Sequence, residues 1–162
     1  VPVVSGGAAG FGGPHVVLSF AAPIDIHAVA DVALKWDVAY DDTTSYNVVT
    51  ALPLGLGLSA AIDGSASAIT ATTAGVWAYS LSFNGAADAA ITGTLTMGGP
   101  TLQTAEFGPI APPSGVTQSV IGIAETLALP SGASFDATLS TKHIATANPY
   151  SVTPYLSLIR VA

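Results

Sequence analysis

Between Gly75 and Phe83 the chain alternates without a miss. Trp77, Tyr79, Leu81 and Phe83 fall on one parity, and Val76, Ala78, Ser80 and Ser82 on the other. Successive side chains of an extended strand point to opposite faces, so this pattern predicts a half-buried β-strand whose aromatic side is core. A second run behaves alike: Val32, Leu34, Trp36, Val38 and Tyr40 alternate with Ala33, Lys35, Asp37 and Ala39. A helix over residues 25–40 competes, because Val29, Ala33, Trp36 and Tyr40 also lie at helical spacing. The unbroken period of two and the β-favouring Val, Trp and Tyr decide for a strand.

The same reading predicts strands over Val16–Phe20, Ile69–Thr73, Ser119–Leu129, Ser134–Ser140 and Tyr155–Val161. Ile91, Gly93, Leu95 and Met97 alternate with Thr92, Thr94 and Thr96, and Asn84-Gly85 just upstream has the positive-φ tolerance of a tight turn. These two features predict a hairpin. Asp41-Asp42-Thr43-Thr44 reads as a turn, Gly98-Gly99-Pro100 as a strand end, and the Pro-rich stretch Gly108 to Gly115 as a loop. Short strands joined by Gly/Pro turns, with no convincing amphipathic helix and no long repeat, predict an all-β fold: an antiparallel jelly-roll β-sandwich. Residues 1–14, Gly-rich and uncharged, are expected to form a flexible or extended N-terminal arm, and residues 15–162 a single domain. The chain opens at Val1 without a basic n-region, as expected of a processed or trimmed product.

Half of the residues are hydrophobic but only 8% are charged, against roughly 25% in ordinary domains. With no cysteine, the fold must rest on burial alone, without disulfides or zinc-thiolate sites. Three Lys+Arg against ten Asp+Glu give a net charge of -7. That is the wrong sign for gripping phosphates or anionic lipid heads, which argues against nucleic-acid binding. The longest apolar stretch, Ala51–Ile62, is broken by Pro, Gly and Ser and falls short of the roughly 20 residues a membrane span needs, so no membrane insertion is expected.

Chemistry-bearing motifs are sparse. His15, His27 and His143 are scattered, and Asp25 with His27 on one strand face does not make a metal site. Asp41 and Asp42 are a weak calcium candidate, because a defined calcium site needs about six oxygens or more and no EF-hand pattern is present. There is no G-x-S-x-G, no Gly-Lys-Ser/Thr and no N-glycosylation sequon, so neither an enzyme nor a cofactor is expected. Glu125 lies between Ile123 and Leu127 at inward parity, where an unpaired carboxylate is costly. Pairing across an interface or a local bulge would relieve it, and Arg160 on the last strand is the first partner to test.

The segment Ala68–Phe83 (AITATTAGVWAYSLSF), with its Gly75-Val76-Trp77, resembles the signature of the tumour-necrosis-factor-like superfamily, which includes the complement globular head. The early aromatic Trp36, the segment TLALPSGASFDATL from Thr126 and the terminal TPYLSLIRVA line up in the same order. Trp77 stands where Tyr is usual, and the Ala/Thr/Gly-rich, Lys-poor style is similar to versions in bacterial surface proteins and bacteriophage capsid or tail fibres. The resemblance implies a ten-strand jelly roll assembling as a homotrimer. The small, weakly polar face of Val76, Ala78, Ser80 and Ser82, with the parity of Val120, Gly122, Ala124, Thr126 and Ala128, is suited to packing between subunits, and Glu125 and Arg160 join it as interface candidates. The leading expectation is a non-enzymatic virion structural protein on the virion surface, a capsid decoration or tail knob bound to other virion proteins through its arm. The alternative is a bacterial cell-surface or secreted module whose loops, around Asp41, Asp42 and Tyr46 and over Gly108–Ser114, hold host glycan; a small hydrolase comes third.

Overall fold

The computed structural model describes residues 14–26, 31–41, 47–86, 91–99, 103–110, 117–144 and 150–162. Among them there are strands and no helix: β1 (His15–Ser19), β2 (Ile24–Ile26), β3 (Asp31–Ala33), β4 (Val38–Asp41), β5 (Asn47–Val49), β6 (Leu58–Ala60) and β7 (Ile69–Ala71). The longer strands follow: β8 (Gly75–Ala86), β9 (Ile91–Gly98), β10 (Gln103–Ile110), β11 (Thr117–Leu129), β12 (Ser134–Ile144) and β13 (Tyr150–Arg160). Every pairing among them is antiparallel.

They form two sheets. The larger runs β11-β8-β13-β1-β4-β5, with β2 added on β13; the smaller runs β10-β9-β12-β7-β6, with β3 added on β12. This is an all-β jelly-roll sandwich, and the alternation in each strand explains its core. Trp77, Tyr79 and Leu81 of β8 are buried, as are Ile123, Leu127 and Leu129 of β11 and Phe135, Ala137 and Leu139 of β12. Trp36 and Trp77 are its largest fully buried side chains. Phe20 meets Trp36 edge-on, with ring centroids 5.6 Å apart.

Four expectations are corrected. The run Val32–Tyr40 is not one strand, because β3 pairs with β12 in one sheet and β4 with β1 in the other. Residues 34–37 cross between the layers. Leu34 N donates to Ala137 O and Asp37 N to Ser19 O; Leu34 and Trp36 sit in the core, but the parity reverses across the crossing, so that Ala39 is the core residue of β4 and Val38 shares the opposite side with Tyr40. Asn84-Gly85 makes no hairpin turn: β8 continues through both residues, flanked by β11 and β13, and β9 lies in the opposite sheet against β10 and β12. A strand with hydrogen-bonding neighbours on both edges has every reason to run on past a turn-prone dipeptide. Gly108, Pro109 and Ile110 belong to β10 rather than to a loop. Pro109 is tolerated because β10 is an edge strand with a register shift between Phe107 and Ile110. Asp41 ends β4 rather than opening a turn.

Candidate interaction surfaces

The outer face of the larger sheet is built by the second parity of its strands. Ala124 of β11 stands opposite Ser80 of β8, which stands opposite Ser157 of β13, then Val17 of β1 and Tyr40 of β4. The neighbouring row is Thr126, Ala78, Ile159 and His15. Neither row holds a carboxylate, lysine or arginine. The imidazole of His15 is tied down, its Nε2 2.9 Å from Ser157 Oγ. Val76, Ala78 and Ser82 are half-buried and Ser80 is exposed, which makes a flat surface of small side chains across strands fixed by hydrogen bonds on both edges. The contribution of β13 and β1 was readable in the alternation of Tyr155, Ser157 and Ile159, whose partner strands only the sheet order reveals.

Glu125 keeps its inward parity yet is exposed, so the expected cost of a buried carboxylate does not arise. Its strand β11 is the sheet edge, from which a long side chain turns out to solvent. Opposite it in register lies Tyr79, whose buried hydroxyl has no hydrogen-bond partner. Burial, and secondly the nearby Glu125 charge, push the Tyr79 phenol above its ordinary value. Both causes favour the neutral form.

Arg160 does not pair with Glu125. Its guanidinium lies over the Trp77 ring, 5.5 Å from the centroid, and donates to Ala74 O (3.0 Å), Thr73 Oγ1 (3.1 Å), Ala162 O (3.2 Å) and Gly55 O (3.4 Å). Trp77 Nε1 in turn donates to Leu56 O at 2.8 Å. Arginine's planar fork suits this role, because several carbonyls can share one cation whose flat face rests on an aromatic ring. The clasp joins the turn at 53–57, the turn at 72–75 and the end of β13.

Asp42 and Tyr46, the remaining ligand-loop candidates, lie outside the described residues, as do His27 and most of the Gly108–Ser114 stretch. Asp25 accepts a hydrogen bond from Ser151 Oγ. No group of three His, Asp or Glu side chains comes together among the described residues. A shallow hollow of about 180 Å³ lies among Ala68, Gly98, Gly99, Ser134, Phe135 and Asp136. Asp136 is the one ionisable group lining it.

No family model matches the chain, and no curated protein sequence matches it. Solved structures do. The globular domain of zebrafish complement 1qA protein superposes with a TM-score of 0.50 at 10% identity, covering 93% of this chain and 98% of that one. The PRD1 vertex protein P5 superposes with a TM-score of 0.55 at 13% identity, covering 92% and 97%. The Eiger tumour necrosis factor from S. frugiperda overlaps more loosely, with a TM-score of 0.44 at 14% identity over 92% and 94%. The first two carry the conclusion that this chain has the jelly-roll fold of complement globular heads and of a vertex protein, the fold that its Gly75-Val76-Trp77 segment implied.

Proposed function

We propose that the protein is a non-enzymatic structural knob of a virion, displayed on the particle surface as a homotrimer and anchored by the arm over residues 1–14. The observation that carries this reading is the outer face of the larger sheet. Two adjacent rows of side chains, from Ala124 to Tyr40 and from Thr126 to His15, contain no carboxylate, lysine or arginine. In a chain of net charge -7, a face left uncharged across several strands is suited to burial between subunits, since interface cores are depleted of charge. Likeness of fold to a vertex protein favours a shell component over a soluble ligand. Light scattering tests the assembly: the expected mass is three times that of the chain. Ser80→Glu, which puts a carboxylate in the middle of the face without touching the core, should dissociate it. A wild-type monomer at micromolar concentration would reject the reading.

A further inference from the structure

At one end of the sandwich several separate segments are knitted together. Thr72 N donates to Gly57 O, Gly132 N to Ala71 O, Ser131 Oγ to Thr72 O and Val76 N to Ala162 O. Arg160 ties Gly55, Thr73 and Ala74 to the same end. The segments involved, 53–57, 72–75, 130–132 and 160–162, contain a single charged side chain, that of Arg160, and its guanidinium is taken up by carbonyls. Leu54, 98% exposed, and Val161, 50% exposed, are the exposed large hydrophobic residues among those described, and both stand here. Pro14 is here as well: its carbonyl accepts from Arg160 N, and its ring lies 3.3 Å from where a Cβ on Gly55 would sit. The arm therefore joins the body at the end where charge is missing and leucine is bare.

A fully exposed leucine at the tip of a turn gives up the stabilisation that burial would bring, and nothing in the turn requires it, because the turn closes through Leu56 N to Pro53 O. We propose that this end is the seat of the knob, docking on an uncharged, apolar surface of the shell protein that the arm enters. The inference rests on the anchoring role of the arm proposed above. Arm and seat then form a two-part attachment in which binding of one holds the other at high effective concentration.

The test is rebinding of the full chain to purified particles stripped of it, with occupancy followed against concentration for wild type, Leu54→Ser and Val161→Ser. Neither substitution touches the core. Each should raise the half-saturating concentration about tenfold or more while the mass by light scattering stays that of wild type. Rebinding of both variants at the wild-type concentration overturns the seat and leaves the arm as sole anchor. A drop in mass on Leu54→Ser reassigns the leucine to a contact between copies and overturns it too. So does flotation of the wild type, but not of Leu54→Ser, with phosphatidylcholine vesicles, which assigns the surface to lipid. A wild-type chain that does not rebind removes the virion reading and the seat together.

Discussion

Trp77 ties the core to the turn over 53–57 and to the end of β13. It is fully buried, its indole N–H is bonded to Leu56 O, and its ring carries Arg160. Trp77→Ala should cost on the order of 3 to 5 kcal/mol in denaturant unfolding, as large aromatic truncations in packed interiors do. A loss below about 1 kcal/mol would mean that the ring is not core. Tyr79, two residues on, poses the opposite case. Its hydroxyl is buried and unpaired, an arrangement that costs about 1 to 3 kcal/mol relative to a satisfied group. Tyr79→Phe should therefore match the wild type or exceed it in stability. The raised phenol adds a pH signature. Above the ordinary value of 10.0 the unfolded chain releases this proton while the folded one retains it. Unfolding is then favoured progressively, so the stability is intact below about pH 10 and declines as pH rises through the window. Comparing the denaturant midpoints at pH 8 and pH 10.5 should show a smaller drop for Tyr79→Phe than for wild type; equal drops would place the effect on other tyrosines.

Among the elements, the turn over 53–57 shows how one backbone position governs several strands. Gly57 has φ of 75°, and a Cβ there would lie 2.6 Å from Arg160 Nη1 and 2.7 Å from Thr73 Oγ1. Gly57→Ala should destabilise by about 2 kcal/mol, combining the left-handed penalty with displacement of the guanidinium. In an Arg160→Ala background the same change should cost measurably less, and a double-mutant cycle with no coupling would separate the turn from the clasp. None of this was legible in the sequence, where Pro53-Leu54-Gly55 reads as part of a broken apolar stretch and Arg160 as the partner of Glu125. What was legible is whatever depends on parity alone: the inward sides of β8, β11 and β12, and the inward Leu34 and Trp36, beyond which the parity reverses and Ala39 takes the core position. Parity says nothing about which sheet a strand joins. Hence the Val32–Tyr40 run concealed a crossing between layers, and Asn84-Gly85, turn-prone in isolation, was overridden by two long neighbours. Parity puts Glu125 on the inward side of β11, but a pattern cannot tell that this strand is the last in the sheet, where the side chain reaches solvent without a bulge or an interface partner.

For the whole molecule, the central question is whether folding and attachment reside in different parts of the chain. Among the described residues the buried hydrophobic side chains begin at Val16 and draw on both sheets, and the one described residue of the arm, Pro14, meets the body through its carbonyl, which accepts from Arg160 N. Deleting residues 1–13 should thus leave a folded trimer with a denaturation midpoint close to that of the full chain. It should also abolish attachment to the particle, because extended, uncharged segments gain affinity by becoming ordered on a partner rather than by supporting their own core. The two readouts discriminate between the alternatives. A deletion that unfolds the protein or lowers its mass to that of a monomer would make the segment part of the domain, and residues 1–14 would no longer be a separate arm. A deletion that leaves attachment at full occupancy would transfer the whole of binding to the body. In that case Leu54→Ser in the shortened chain becomes decisive: loss of attachment there would identify the uncharged end as sufficient without the arm, whereas retention would direct the search to the flat face of β8 and β13, leaving the trimer to be held by other contacts.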